Sequence, residues 1–444
     1  DSDEMRRLGY QMVDMVVDRL QAKHELPALK CQDRQILEQQ LGGSVPELPM
    51  DPQASLKLLA EVALSNQQNG DHPRYFARVA GPSSYAAVLG EWMGTGFNAV
   101  AISWGGGSGP TTIELIVLNW LRQLLGLPEG SEGVLLSGGS MANTTAFSVA
   151  RSQRGIGRVY FTDQAHSSLP RSLKELGFGE DYLRLIPSDD SLKMSVDALR
   201  AAIEEDIASD YHPMMVIATA GTTNTGTVDP LNAIADLCEK YNLWFHVDGA
   251  YGLAALADSE SSKLFSGIER ADSLIVDPHK WLFAPYDSCA LVYRDSNRGA
   301  AAHGQQDHYL DIVDKTTWNP SDFALHLTRR PRGLPLWFSL AVYGSQAYST
   351  AIKKTIQIAN KIAEEIKNIN ELELILGPQL TVILFRALKL SEEELYKWSE
   401  KHRRDGTLLC LPTKWKGKTV LRICVVNPNT DPNQVIEVLK TLKC

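Results

Sequence analysis

The spacing of the hydrophobic residues predicts a helical segment at the start of the chain. From Met5 to Leu20, apolar residues recur three and four positions apart, which is typical of an amphipathic helix whose apolar stripe packs on another surface. Pro46, Pro49 and Pro52 then interrupt the pattern. We therefore expect a helical extension that is suited to dimerisation.

Seven short apolar runs between about residues 130 and 295 alternate with helical stretches. The runs are GVLLS, RVYFT, LRLIP, MMVIATA, LWFHVD, SLIVDP and ALVYRD, and the helices include 140–153 and 230–241. Continuous β-branched runs are typical of strands buried on both faces, so the pattern predicts a mostly parallel α/β sheet covered by helices. Ligands of such sheets bind at the carboxyl ends of the strands.

The last part of the chain lacks this strict alternation. A helix around residues 346–369 is followed by LELIL, LTVILFRA, another helix and TVLRICVVNP. Such a run predicts a smaller α+β domain. Together the patterns predict a helical N-terminal segment over 1–84, a large α/β domain over 85–345 and a small C-terminal domain over 346–444.

Composition and charge narrow the functional classes. The 444 residues are 44% hydrophobic and 22% charged, with a formal net charge of −9, as in ordinary globular proteins. Because the basic residues are scattered, we expect a small-molecule substrate and neither nucleic acid nor a membrane surface as partner. No apolar run reaches the roughly 18 residues of a membrane span.

The cysteines point to a reducing compartment. They lie far apart with no CxxC pair, at Cys31, Cys238, Cys289, Cys410, Cys424 and Cys444. This spacing suggests neither a disulfide framework nor a metal site. The N-terminal residues do not resemble a signal peptide, so we expect reduced thiols in a cytoplasmic protein.

Two charged residues end apolar runs in the predicted sheet. Lys280, in SLIVDPHKWLF, either reaches solvent from a strand-to-helix turn or is buried because it forms a covalent bond, since an unpaired buried ammonium is costly. Asp248 ends LWFHVD and either caps the turn or pairs with a cationic or hydrogen-bonding group. Gly249 to Gly252 follow it and permit a close approach.

Three further strand ends carry candidate ligands. Gly139 and Ser140 open a helix after a glycine turn, where free backbone N–H groups suit a phosphate, although Ser140 as an ordinary N-cap is the alternative. The stretch is neither GxGxxG nor a P-loop, which disfavours dinucleotides and ATP. His166 and Thr223 follow other strands, and a structural histidine and a turn hydroxyl are their alternatives.

One cofactor fits these features together, and it is pyridoxal 5′-phosphate (PLP). A lysine forms its Schiff base, a glycine-rich helix start holds its phosphate, a carboxylate pairs with its pyridinium nitrogen and a flat side chain stacks on its ring. The burial of Lys280 is then explained, because the lysine forms a covalent bond with the cofactor.

Seven motifs carry a resemblance to a known family. HPRYFARV, SGGSMAN, DQAHSS, GTTNTG, HVDGAYG, DPHKW and RRPRGLPLWF occur in this order along nearly the whole chain. In these motifs the chain resembles the PLP-dependent group II amino-acid decarboxylases. Within that family it resembles most the type of the aromatic L-amino-acid decarboxylases. The resemblance implies the type I, aspartate aminotransferase-like fold with a seven-stranded mostly parallel sheet, and a homodimer with active sites at the subunit interface.

The resemblance also implies residue roles. Lys280 becomes the Schiff-base lysine, Asp248 the pyridinium partner and His166 the residue stacked on the ring. Tyr309, in GQQDHYLD, matches the mobile-loop tyrosine that protonates the substrate α-carbon. The other cofactor-binding positions are Gly139, Ser140 and His279 at the phosphate, with Thr223, Gly249 and Ala250 near the cofactor.

Residues expected to select the substrate differ from those of the animal aromatic decarboxylases. Arg78, Val79 and Ile102 stand where those enzymes have aromatic residues. Arg78 either faces an acidic substrate or lies at the surface. Tyr75, Val79, Ile102 and Trp104 would still form an apolar pocket, so we expect an aromatic or other apolar L-amino acid that is converted to its amine and carbon dioxide.

Several rival functions share this set of residues. A decarboxylase of an acidic, diamino or aliphatic amino acid is one alternative. An aminotransferase is another, since Arg422 resembles the arginine that binds the substrate carboxylate there. Aldehyde synthases often carry phenylalanine at the loop tyrosine, so Tyr309 argues against them, and a non-catalytic binding protein would require that Lys280 binds no cofactor.

Overall fold

The computed structural model describes residues 1–79, 81–304 and 317–442. The chain forms two compact units. The first, here the terminal unit, comprises Asp1–Arg78, Lys361–Ile375 and Leu384–Cys444; the second, the central unit, comprises Val79–Asn360 and Leu376–Ile383. The division into three domains at residues 84 and 345 stays a prediction.

The strands form two sheets. In chain order they are β1 Glu132–Leu136, β2 Arg158–Thr162, β3 Leu183–Ile186, β4 Pro213–Thr219, β5 Trp244–Asp248, β6 Ser273–Val276, β7 Cys289–Tyr293, β8 Leu372–Leu376, β9 Val382–Ala387, β10 Leu411–Trp415 and β11 Lys418–Cys424. The first seven match the seven apolar runs of the sequence.

The α-helices surround these sheets. They are α1 Ser2–Ala22, α2 Arg34–Leu41, α3 Pro52–Leu58, α4 Tyr85–Gly96, α5 Trp104–Leu124, α6 Gly139–Arg154, α7 Ser168–Glu175, α8 Val196–Ala208, α9 Leu231–Tyr241, α10 Pro278–Trp281, α11 Ser296–His303, α12 Gly333–Lys367, α13 Glu392–Arg404 and α14 Pro432–Leu439. None of the helices in the described ranges is long and apolar enough to cross a membrane.

The central unit is built on a seven-stranded sheet of order β1-β7-β6-β5-β4-β2-β3. The run from β6 to β3 is parallel, whereas β7 is antiparallel to both of its neighbours. The predicted mostly parallel sheet is therefore confirmed. Six of its strands are buried along nearly their whole length because helices cover the sheet, whereas at the edge strand β3 only Ile186 is buried.

Helix α6 forms the centre of the core of this unit. It packs over the strands from β4 to β7, and Phe147 and Val149 on its inner face are fully buried with Ile217, Trp244 and Leu291 of the sheet. The helix therefore has a fixed position relative to the carboxyl ends of these strands.

The small sheet has the order β10-β11-β9-β8, in agreement with the predicted α+β arrangement near the C-terminus. Helix α13 in the terminal unit begins with a capping box between Ser391 and Glu394. The helix expected around 346–369 begins earlier, at Gly333, and is kinked at Gly344, whose φ is +76°. A glycine adopts that backbone conformation with little strain, and this permits the kink.

Candidate active site

The carboxyl ends of the parallel strands surround a cavity of about 550 Å³ in the central unit, within the usual range of small-molecule sites. The structure brings eight predicted site residues to its lining, namely Gly139, Ser140, His166, Thr223, Asp248, Ala250, His279 and Lys280. They are spread over positions 139 to 280 of the sequence, but strand register places them together. Thr219 at the end of β4 pairs with Asp248 at the end of β5, and Asp248 pairs with Ile275 of β6.

Lys280 lies on the short helix α10, directly after β6. Its Nζ is 2.9 Å from Oδ2 of Asp277, the N-cap position of that helix. Burial lowers the pKa of Lys280, but the carboxylates of Asp277 and Asp248 outweigh this effect and raise the pKa above its ordinary value. The lysine is thus held as an ammonium in a mostly enclosed site.

Asp248 is buried at the end of β5, with 6% of its surface exposed. Its Oδ2 accepts a hydrogen bond from Asn143 Nδ2 at 3.1 Å, and its Oδ1 accepts one from the backbone N–H of Ala250 at 3.2 Å. A Cβ on the neighbouring Gly249, which is not among the described residues that line the cavity, would overlap the Leu253 side chain.

The start of α6 forms one end of the cavity. Gly138, the N-cap, has a φ of +144° and offers no side chain to the first backbone N–H groups. His279 lies at the same end: its Nδ1 is 2.6 Å from the carbonyl oxygen of Ser288, and burial lowers its pKa. Uncapped N–H groups at a positive helix end attract an anion.

His166 and Thr223 border the cavity from two loops. The backbone N–H of Ser168 donates to His166 Nδ1 at 3.2 Å, which places the histidine proton on Nε2 in the neutral ring. The loop that carries Thr223 is fixed by buried hydroxyl contacts between Thr222, Thr225 and Thr227. His166 itself is exposed in the single chain.

The predicted substrate-pocket residues lie elsewhere in the described chain. Val79, Ile102 and Trp104 are not among the described residues that line the cavity. Tyr75 is buried in the terminal unit, where its hydroxyl donates to Gln68. Their substrate role therefore stays a prediction.

Arg78 and Arg422 both lie outside the lining of the cavity. Arg78 is exposed. Arg422 is buried in the terminal unit and donates to the carbonyl oxygen of Ala77 at 2.9 Å. Tyr309 lies outside the described residues.

The structure adds functional candidates that the sequence reading did not single out. Asp277 and Asn143 line the cavity, and His246 contacts Asn143 behind it. Signals for two of them were present: Asp277 precedes Lys280 by three positions at a helix start, and His246 is two positions before Asp248 on the same face of a strand.

The cavity has the donors and acceptors that PLP requires. An ammonium and a carboxylate, Lys280 and Asp248, face the same space as the open helix start at Gly139. The hydroxyl of Thr219 is buried at the cavity without a hydrogen-bond partner in the described part of the chain, and a bound polar group would satisfy it. The residues present therefore fit the cofactor.

Comparison with known proteins gives a consistent result. Residues 38–388 match the family model of the pyridoxal-dependent decarboxylase conserved domain. The chain is 36% identical to an aromatic-L-amino-acid decarboxylase of Bacillus atrophaeus, with 100% of this chain and 95% of the relative covered. It is 31% identical to tyrosine decarboxylase 2 of Arabidopsis thaliana, with 98% and 86% covered.

A solved structure shows the same fold. The crystal structure of Oryza sativa TDC with PLP and tryptamine has a TM-score of 0.94 and 25% sequence identity, and the match covers 100% of this chain and 97% of the other. These findings confirm the predicted type I fold, the PLP cofactor and the carboxy-lyase class. The chain belongs to the pyridoxal-dependent decarboxylase family.

Proposed function

We propose that this enzyme decarboxylates an aromatic L-amino acid to the corresponding amine and carbon dioxide in the cavity between Lys280 and the start of α6. The observation that carries the proposal is the convergence of Lys280, Asp248 and the uncapped helix start in one space. The names of the two relatives given above support an aromatic substrate.

Each residue has a defined task in this proposal. When bound, PLP supplies an electron sink for the electron pair that the departing carboxylate leaves behind. Lys280 holds the cofactor covalently and accepts or returns a proton at Nζ. Asp248 would hold the ring nitrogen of the cofactor through its carboxylate, and this preorganised negative charge would support the electron sink.

The remaining cavity residues orient the cofactor. The N–H groups at Gly139 and Ser140, with His279, bind the phosphate, and His166 stacks on the ring. Thr223, Gly249 and Ala250 border the ring. By holding the cofactor and the substrate in one orientation, these residues would determine which bond of the substrate breaks.

Tyr309 is the proposed proton donor to the substrate α-carbon. This role rests on the resemblance of GQQDHYLD to the family's loop motif. Without this proton transfer, oxidation by molecular oxygen and hydrolysis by water would give the aldehyde, ammonia and hydrogen peroxide in place of the amine, so the product reports on this step.

The substrate pocket is proposed to form in a homodimer with interfacial active sites. Val79, Ile102 and Trp104 do not line the cavity within the described part of one chain, and a second copy would supply apolar residues there. Tyr75 is assigned to the same pocket. The proposal places the enzyme in the cytoplasm, where its thiols would remain reduced.

The experiment that tests the function is an amino-acid panel. The PLP-loaded protein is incubated with each of the twenty L-amino acids, DOPA and several diamino acids, and carbon dioxide, amine, aldehyde and oxygen uptake are recorded together. We expect carbon dioxide and the matching amine from tryptophan, tyrosine, phenylalanine or DOPA. Turnover of only glutamate, aspartate or diamino acids would overturn the aromatic substrate, and aldehyde with oxygen uptake would overturn the decarboxylase product.

A further inference from the structure

We propose that Asn143 and His246 are positioning residues for Asp248, which they hold as a hydrogen-bond acceptor directed at the cofactor site. This inference rests on the proposed function, in which Asp248 pairs with the ring nitrogen of PLP. The predicted set of site residues included neither Asn143 nor His246.

A continuous chain of hydrogen bonds leads from the core to Asp248. Trp244 Nε1 donates to Ser273 Oγ at 2.9 Å, and Ser273 Oγ lies 2.8 Å from His246 Nδ1. His246 Nε2 lies 2.9 Å from Asn143 Oδ1, and Asn143 Nδ2 donates to Asp248 Oδ2 at 3.1 Å. All five side chains are buried.

The direction of each bond follows from the donor and acceptor chemistry. The carboxylate of Asp248 can only accept, so the Asn143 amide directs its NH₂ group to Asp248 and its oxygen to His246 Nε2. The indole of Trp244 can only donate, so Ser273 accepts from it and still has a hydroxyl hydrogen to donate to His246 Nδ1. The proton of the neutral imidazole then lies on Nε2 and is donated to the oxygen of Asn143. The amide NH₂ group of Asn143 consequently faces Asp248, which must accept.

If the hydrogen bonds ran in the opposite direction, two hydrogen-bond acceptors would face each other. A proton on His246 Nδ1 would leave the Nε2 lone pair facing Asn143, so the amide would have to turn its NH₂ group toward the histidine. The amide oxygen would then face the carboxylate of Asp248, and two buried acceptors would oppose each other. Only the first arrangement gives each of these four hydrogen bonds one donor and one acceptor.

The surroundings of His246 keep it in the required neutral state. Burial lowers its pKa to about 3. Its ring contacts the ring of Phe147 edge to face, with 5.3 Å between the ring centroids. A neutral, sterically fixed imidazole gives the Asn143 amide a single orientation.

Asn143 also connects the two ends of the cofactor site. It lies on α6, one turn after Gly139, and Asp248 ends β5. The contact between Asn143 and Asp248 therefore fixes the proposed phosphate end relative to the proposed ring end. Loss of the amide would release both the carboxylate and the helix from this constraint.

The test uses PLP binding as its readout. Asn143→Leu removes the amide at similar volume, whereas Asn143→Ser keeps one donor and one acceptor. We expect Asn143→Leu to raise the PLP dissociation constant by about 10-fold or more, because a hydrogen bond to a carboxylate is among the stronger ones. Asn143→Ser should recover part of that loss, and His246→Leu should weaken binding in the same direction.

A double-mutant comparison separates positioning from a general structural role. In an Asp248→Asn background, Asn143→Leu should change PLP affinity little, since the carboxylate charge that Asn143 orients toward the cofactor is already gone. An equal loss in both backgrounds would overturn the inference, as would wild-type affinity in a folded Asn143→Leu variant. If that variant does not fold, Asn143→Asp replaces it and should also weaken binding, because a carboxylate oxygen would then face Asp248.

Two further variants complete the design. Asn427→Leu removes another buried amide, one that donates to the carbonyl oxygen of Asp71 in the terminal unit, and should leave PLP affinity within about twofold if the effect is specific to Asn143. Asp248→Asn alone tests the underlying function: unchanged affinity there would refute the role of Asp248. A loss with Asp248→Asn but none with Asn143→Leu would refute the positioning inference alone.

Discussion

Lys280 lies near two carboxylates, and its ion pair with Asp277 affects the pH at which the lysine loses its proton. A lysine must lose its proton before it can attack a carbonyl group. Asp277, 2.9 Å away, and Asp248 raise the pKa of Lys280. The cofactor-free enzyme should therefore capture PLP more slowly as the pH falls.

Asp277→Asn tests this electrostatic effect. Removal of one negative charge should lower the pKa of Lys280, so the pH profile of the PLP capture rate should move to lower pH. The rate is followed by the visible absorbance of the bound cofactor after PLP is mixed with cofactor-free protein at several pH values.

Asp287→Asn is the matched control. Asp287 also borders the cavity, but its carboxylate pairs with Arg330 at 2.6 Å and Arg332 at 3.0 Å. Its loss should leave the pH profile in place. An unchanged profile for Asp277→Asn would contradict the assigned effect of Asp277.

At the residue scale, the sequence alone predicted those site residues whose charge conflicts with the apolar residues around them. Lys280 and Asp248 are charged groups at the ends of apolar strands, and that conflict predicted their convergence. Asn143 was not predictable, because its function depends on His246, 103 positions later, and on the packing of α6 against β5. No local pattern records such a contact.

At the scale of secondary-structure elements, a buried ion pair joins α5 to the sheet. Arg329 Nη2 donates to Glu114 Oε1 at 2.8 Å, and both side chains are fully buried. The same Glu114 oxygen accepts the backbone N–H of Leu135 in β1 at 2.8 Å. Glu114 therefore fixes the edge strand of the large sheet to the helix beside it.

Removal of one partner from this pair should be strongly destabilising. Glu114→Ala leaves a buried guanidinium without its counter-charge, and the free energy of unfolding should fall by about 3–5 kcal/mol. Urea unfolding followed by tryptophan fluorescence measures the change. The double variant Glu114→Leu/Arg329→Met should lose less than either single variant, because it leaves no unpaired charge.

An exposed pair serves as the comparison. Arg171 and Glu175 on α7 form a surface ion pair at 3.1 Å, and Glu175→Ala should change stability little. An equally small effect of Glu114→Ala would contradict the structural role given to the buried pair.

The elements themselves were predictable where burial is continuous. Six of the seven apolar runs became strands that are covered on both faces, and the seventh became the edge strand β3, in which Leu185 is exposed. Strand β10, LPTKW, was missed, since it mixes polar and apolar residues and is held largely by antiparallel pairing with β11. The early start of α12 was missed because a kink at Gly344 divides its pattern.

At the scale of the whole molecule, the N-terminal helices leave apolar surface uncovered. None of the residues of α1 is buried in the single chain, and Met5, Tyr10 and Met12 expose 75%, 68% and 38% of their surface. Met5 and Met12 lie seven positions apart on one face of the helix. A second copy of the chain would cover such a face in the proposed homodimer.

Sedimentation of the intact protein tests this assembly. The mass should be twice the 49.0 kDa of one chain. Met5→Glu/Met12→Glu should shift the equilibrium toward monomer and lower activity, because an interfacial site requires both chains. Asp14→Asn, an exposed change on another face of α1, should leave the mass unchanged, and a monomeric wild-type enzyme with full activity would contradict the proposal.

The most direct measurement of the central claim locates the lysine that holds the cofactor. The PLP-loaded enzyme is reduced with borohydride and digested, and the pyridoxyl-modified peptide is identified by mass spectrometry. We predict one modified peptide, with the label on Lys280, and no label in Lys280→Ala. A label on a different lysine, or stoichiometric labelling of the Lys280→Ala variant, would contradict the assignment of this cavity as the active site.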